Sequence, residues 1–72
     1  MKILVQDKTV IVNSDIYCAI GTEGNNVVAL IEGNEKTRRS CILGKYGSSY
    51  RAKEVVNNIF DCTKDKYKMP EN

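Results

Sequence analysis

Apolar and polar residues alternate in short runs as far as Leu43, and beyond Gly47 the period lengthens. Lys2-Ile3-Leu4-Val5 and Thr9-Val10-Ile11-Val12 are rich in β-branched residues and flank Gln6-Asp7-Lys8, which predicts two short strands around a tight turn. Asn13-Ser14-Asp15 breaks the chain. From Ile16 to Gly21 both parities are apolar, with Ile16, Cys18 and Ile20 the stronger face. Thr22-Glu23-Gly24-Asn25-Asn26 reads as a hairpin loop, Val27 to Glu32 as the next strand and Gly33-Asn34-Glu35 as the next turn. Thr37 to Leu43 closes the series, with Arg39, Cys41 and Leu43 on one face and Arg38, Ser40 and Ile42 on the other.

After Gly44-Lys45-Tyr46-Gly47, the residues Ala52, Val55, Val56, Ile59 and Phe60 fall at i, i+3, i+4, i+7 and i+8, the spacing of an amphipathic helix. Ser48 is placed to cap it, its hydroxyl accepting from a backbone N–H of the first turn, so the helix is expected over 49–61. The pattern predicts an α+β fold: a small antiparallel β-meander of four or five strands with one C-terminal α-helix packed on one face. Residues 1–62 form the expected single domain, and 63–72, which lack a period, a flexible C-terminal tail. Val27, Ala29 and Ile31 alternate with Val28 and Leu30, so the central strands carry apolar side chains towards both faces while one helix covers only one. Either the sheet curls into a half-barrel or its second face meets another subunit; a homo-oligomer is the favoured expectation.

Length and composition narrow the chemistry. With 72 residues the chain makes at most one domain with a small core, and 42 % hydrophobic against 28 % charged residues is a globular balance rather than a disordered one. The longest apolar stretch, Val27–Ile31, is far short of the ~20 residues that span a bilayer, and no apolar block follows Met1-Lys2, so a cytoplasmic protein is expected. Histidine is absent, and with it the commonest general base and zinc ligand. Cys18, Cys41 and Cys62 form no Cys-x-x-Cys pair, which argues against a metal; Cys41, two residues after Arg39, is the one candidate for an activated thiol. Glu54 and Asp61 would share a helix face, but ~10 Å of rise separates them, too far for a paired-acid dyad. Gly44-x-x-Gly47 is too short for a phosphate-binding P-loop. Neither an enzyme nor a cofactor is expected.

Charge is unevenly spread. The net value is +2, yet residues 1–35 balance at −3, residues 54–72 at −1, and the stretch 36–53, with Lys36, Arg38, Arg39, Lys45, Arg51 and Lys53 and no acid, at +6. Such clustering is the footprint of an anion-binding surface. Lys45, Arg51 and Lys53 frame the strand-to-helix connection, where Gly44 and Gly47 allow close backbone approach and helix N–H groups point outward. The first helical turn reads Ser49-Tyr50-Arg51, where acids are usually favoured, as though a ligand supplied the negative charge. The candidate ligand-binding set is therefore Arg38, Arg39, Lys45, Tyr46, Ser48, Ser49, Tyr50 and Arg51, the tyrosines offering rings to a base. An ordinary solvated basic face, with Ser48 as a cap and nothing more, explains the same residues.

Leu43-Gly44-Lys45-Tyr46-Gly47-Ser48, followed by Ala52-Lys53-Glu54-Val55-Val56-Asn57-Asn58-Ile59, resembles the end of a loose group of short proteins from Firmicute genomes and their phages, as Gln6-Asp7 resembles the turn after their first strand. Ser49-Tyr50-Arg51 departs from the group, which commonly has Glu after the capping Ser. The resemblance implies a strand meander with one C-terminal helix and a phage or mobile-element origin. Joined to the basic cluster, it leads to the expectation of a non-enzymatic, self-associating sponge for an anionic nucleotide, such as a cyclic nucleotide immune signal. The alternatives are a protein-binding inhibitor of a host defence or nucleic-acid-handling enzyme and a weak RNA- or DNA-binding module.

Overall fold

Asp7 fixes the first turn. Its carboxylate accepts from the Thr9 backbone N–H at 3.0 Å and the Thr9 hydroxyl at 2.6 Å, bonds that hold its pKa below the usual carboxylate value. Lys8 takes the left-handed φ of 65° that the turn needs, and its N–H donates to Val5 O at 2.8 Å. The computed structural model describes residues 1–17, 19–31 and 39–71, and of Ile31, Arg39 and Ser40 the backbone alone. Within it, β1 (Lys2–Leu4) and β2 (Ile11–Asn13) pair antiparallel around this turn. A short 3-10 turn, Ser14–Ile16, follows under an Asn13 cap whose side chain accepts from the Asp15 N–H.

β3 (Ala19–Glu23) and β4 (Asn26–Ile31) form a hairpin whose turn opens on Gly24 at φ 62°, the positive value that two-residue hairpin turns require. β5 (Arg39–Lys45) pairs antiparallel with β4, and the register slips between Val27 and Val28: Val28 faces Ile42 and Val27 faces Gly44, leaving Leu43 as the extra residue of a bulge. Cys41 and Leu43 turn inward and Ile42 outward, as their alternation predicts. The expected turn Gly33-Asn34-Glu35, the strand residues Glu32, Thr37 and Arg38, and Cys18 lie outside the described residues.

The helix α1 spans Ser49–Asp61 as expected, with the Ser48 hydroxyl accepting from the Arg51 N–H at 3.1 Å. Ala52, Val55 and Ile59 are buried beside Val27, Ala29 and Leu43, and Val56 is half-buried against them. Phe60, expected in the same stripe, is instead 85 % exposed. It lies one residue past Ile59, and the stripe over β3 and β4 has turned away there.

The fold is thus α+β and largely antiparallel, with one helix near the C-terminus packed on a sheet, but its strands divide into two sheets of three, β2-β1-β6 and β3-β4-β5. The sixth strand corrects the expectation of a flexible tail. β6 (Lys66–Lys68) lies parallel to β1, the Met69 N–H donates to Leu4 O at 3.1 Å, and the Met69 side chain is 2 % exposed within the core. A parallel partner can come from anywhere later in the chain, and here nearly the whole molecule is the crossover. Behind β4, Val28 is buried and Ile42 is the exposed residue beside it.

Candidate functional site

At the strand-to-helix connection the candidate residues turn mostly towards each other. The Tyr46 ring is buried, and its hydroxyl donates to Pro70 O at 2.9 Å. Burial pushes its phenol above the usual pKa, Tyr67 adds to this, and Arg51 opposes it. Gly44 gives the ring its seat, since a Cβ there would stand 2.7 Å from the Tyr46 hydroxyl. The close approach expected for a ligand is therefore made by a side chain of the protein.

Arg51 lies over the Tyr46 ring, 6.0 Å from its centroid, and pairs with Glu54 one turn along the helix. Glu54 stands just past the acid-free stretch of the sequence, yet helical geometry brings it onto Arg51. Ser48 is engaged as the cap, and Lys45 exchanges backbone bonds with the Gln6 side chain, giving its N–H to Oε1 at 2.8 Å and taking Nε2 on its carbonyl at 2.9 Å. Ser49 and Tyr50 are exposed and face no described partner across the site. Arg38 and the Arg39 side chain lie outside the described residues. The structure thus unites Tyr46, Ser48 and Arg51 through internal contacts, leaving Lys45, Ser49 and Tyr50 as an exposed rim. Cys41 is half-buried beside Tyr17, and Cys62 is half-buried with its Sγ 3.7 Å from Lys66 O.

A second basic surface forms where the sequence did not concentrate charge. Residues paired across strands share a face, so Lys2 opposite Lys66, and Leu4 between Ile11 and Lys68, put three ammonium groups and two aliphatic side chains on the outer side of the β2-β1-β6 sheet. Ile3 and Val12 occupy the inner side, in the core. The outer side holds an open cleft of about 410 Å³ lined by Lys2, Leu4, Ile11, Lys66, Tyr67 and Lys68, with no carboxylate among them. Glu71 feels Lys68 but bonds Lys8 at 2.9 Å, and that bond chiefly lowers its pKa. Tyr67, paired with Ile3, turns its ring inward against the core, where its phenol is pushed up by burial and drawn down by Arg51 and by a hydrogen bond with Asn58.

Sequence reasoning missed this set because Lys2 and Lys66 stand in the two segments whose charge balance is negative. The available signal was the alternation Lys66-Tyr67-Lys68-Met69, a strand pattern with lysine on one parity. Among the described residues no group of three or more His, Cys, Asp or Glu side chains is placed to hold a metal, and no helix is long and apolar enough to cross a membrane. The chain matches no family model, no curated protein and no solved structure.

Proposed function

We propose that this protein is a non-enzymatic binder of a phosphate-bearing anion, with a nucleotide as the ligand class, and that the outer face of the β2-β1-β6 sheet holds it. One observation carries the reading: Lys2 and Lys66 lie directly opposite each other on adjacent strands. Like charges so placed are unfavourable in the free protein, and a bound anion relieves them. Lys68 extends the positive row along β6, while Leu4 and the 66 % exposed Ile11 offer an apolar floor to a base or ribose. Bound there and left unchemically altered, a nucleotide is withheld from other proteins, which is how a phage-encoded sponge would act.

Calorimetry at low salt with linear and cyclic nucleotides tests the reading. A charge-assisted contact to phosphate contributes ~1.5–3 kcal/mol, so the double substitution Lys66→Ala, Lys68→Ala weakens binding at least tenfold. The nucleotide is recovered intact after denaturation. Absence of binding to the wild type removes the nucleotide reading.

A protein-binding reading rests on a different surface. Phe60 stands exposed over a groove lined also by Tyr17, Ile20 and Val56. An exposed aromatic beside an apolar groove suits a protein contact. Phe60→Ser then abolishes capture of a partner protein and leaves nucleotide binding intact.

A further inference from the structure

We propose that the C-terminal segment from Lys66 to Glu71 is a strap that docks and releases as a unit, that Gln6 is the positioning residue holding it, and that its docking assembles the lysine face. The last clause rests on the anion-binding reading; the first two stand without it.

β6 is a three-residue strand at the edge of its sheet, hydrogen-bonded to β1. So short an edge strand has little stability of its own. What fastens it lies mostly past its end. Gln6 Nε2 donates to Glu71 O at 2.7 Å while also reaching Lys45 O, and Pro70 O is 3.4 Å away. Tyr46 donates to Pro70 O, Lys8 pairs with Glu71, and Met69 enters the core. Gln6 is thus one side chain that joins the end of β5 to the strap. The segment's side-chain bonds are exposed or half-exposed and Met69 is its one fully buried side chain, and a segment so held opens locally before the whole domain unfolds.

Two of the three ammonium groups of the face, those of Lys66 and Lys68, ride on this strap, and Lys2 stays on β1. An anion that bridges β1 and β6 binds the docked state alone. Docking and binding are therefore coupled, and each strengthens the other by the same factor.

Gln6→Glu separates the two roles of the side chain. The carboxylate still accepts from the Lys45 N–H but donates nothing, so the bonds from Nε2 to the strap and to Lys45 O are both lost. Hydrogen exchange is read at the Met69 amide, bonded to Leu4 O, and the Lys2 amide, bonded to Asp65 O, with amides inside α1 as the internal reference. In the variant the two reporters exchange about tenfold faster or more while the helix amides keep their rates. Tyr46→Phe, which removes one bond to Pro70 and preserves the ring, gives a smaller change of the same pattern. A uniform rise across the helix, or no change at the reporters in both variants, overturns the strap.

ATP at low salt probes the coupling. It slows exchange at Met69 in the wild type, and it binds Gln6→Glu more weakly although Gln6 is not on the lysine face. Equal ATP affinity for wild type and variant overturns the coupling. If ATP binds neither while the exchange pattern appears, the strap stands and the anion-binding reading fails.

Discussion

Gly44 gives up a side chain so that Tyr46 can have a place. With a Cβ at position 44 as close as 2.7 Å to the Tyr46 hydroxyl, Gly44→Ala forces the ring off its seat and away from Pro70. The expected cost is about 1–3 kcal/mol in denaturant unfolding, the range for overpacking a filled core. Tyr46→Phe keeps the packing and loses one hydrogen bond, at about 0.5–1.5 kcal/mol. The same phenol makes stability depend on alkaline pH. Because burial raises its pKa in the folded state, its contribution is complete below the ordinary tyrosine value of 10.0 and disappears as the pH rises through the higher folded value. Unfolding midpoints measured from neutral pH to above that value fall less steeply in Tyr46→Phe, with the Tyr67 and Tyr17 phenols, shifted the same way, supplying what slope remains. A glycine pair beside a basic cluster announces a close approach in the sequence. It does not name what approaches, and here the occupant is the protein's own ring.

The helix was legible because its signals are local: a capping serine, a 3.6-residue apolar period and an abrupt start after Gly47. Legibility stopped at Phe60, since a stripe of five apolar residues does not say where the underlying sheet ends. Ile59→Ala is expected to cost about 2–5 kcal/mol, whereas Phe60→Ala changes stability by less than about 0.5 kcal/mol. Adjacent substitutions of such unlike effect, read in one denaturation series, locate the edge of the packed face; equal effects would place Phe60 in the core. That strands stand in the β3-β4-β5 sheet was legible for the same local reasons, but β3 begins at Ala19 rather than Ile16, which lies in the 3-10 turn, and its hairpin takes in Thr22, Glu23 and Asn26, read as loop. Nor was the bulge at Leu43 legible, because both parities of β4 are apolar and fix no register. β6 was hidden for a different reason. Three residues of lysine, tyrosine and lysine become a strand by pairing with β1 at the opposite end of the chain, and no local period encodes a parallel partner so distant.

At the scale of the molecule, charge counted along the sequence and charge arranged in space point to different surfaces. The acid-free stretch from Lys36 to Lys53 is partly neutralised by Glu54, while Lys2, Lys66 and Lys68 gather from acidic segments onto one face. The two surfaces make opposite claims about single substitutions. On the lysine face, Lys66→Gln removes a like charge from across Lys2 while keeping a long polar side chain. The free protein should gain about 0.2–1 kcal/mol, the usual size of a cross-strand pair effect. The gain should shrink as salt screens the repulsion over ~10 Å at 0.1 M. Anion affinity should fall in the same variant, so stability and binding move in opposite directions. Lys45→Gln and Lys53→Gln, on the rim of the helix start, should leave both nearly unchanged. Thermal unfolding and calorimetry on the three variants at two salt concentrations decide between the surfaces. Loss of affinity in Lys45→Gln with none in Lys66→Gln would return the site to the helix start, and a Lys66→Gln protein less stable than the wild type would mean that no repulsion is stored across β1 and β6.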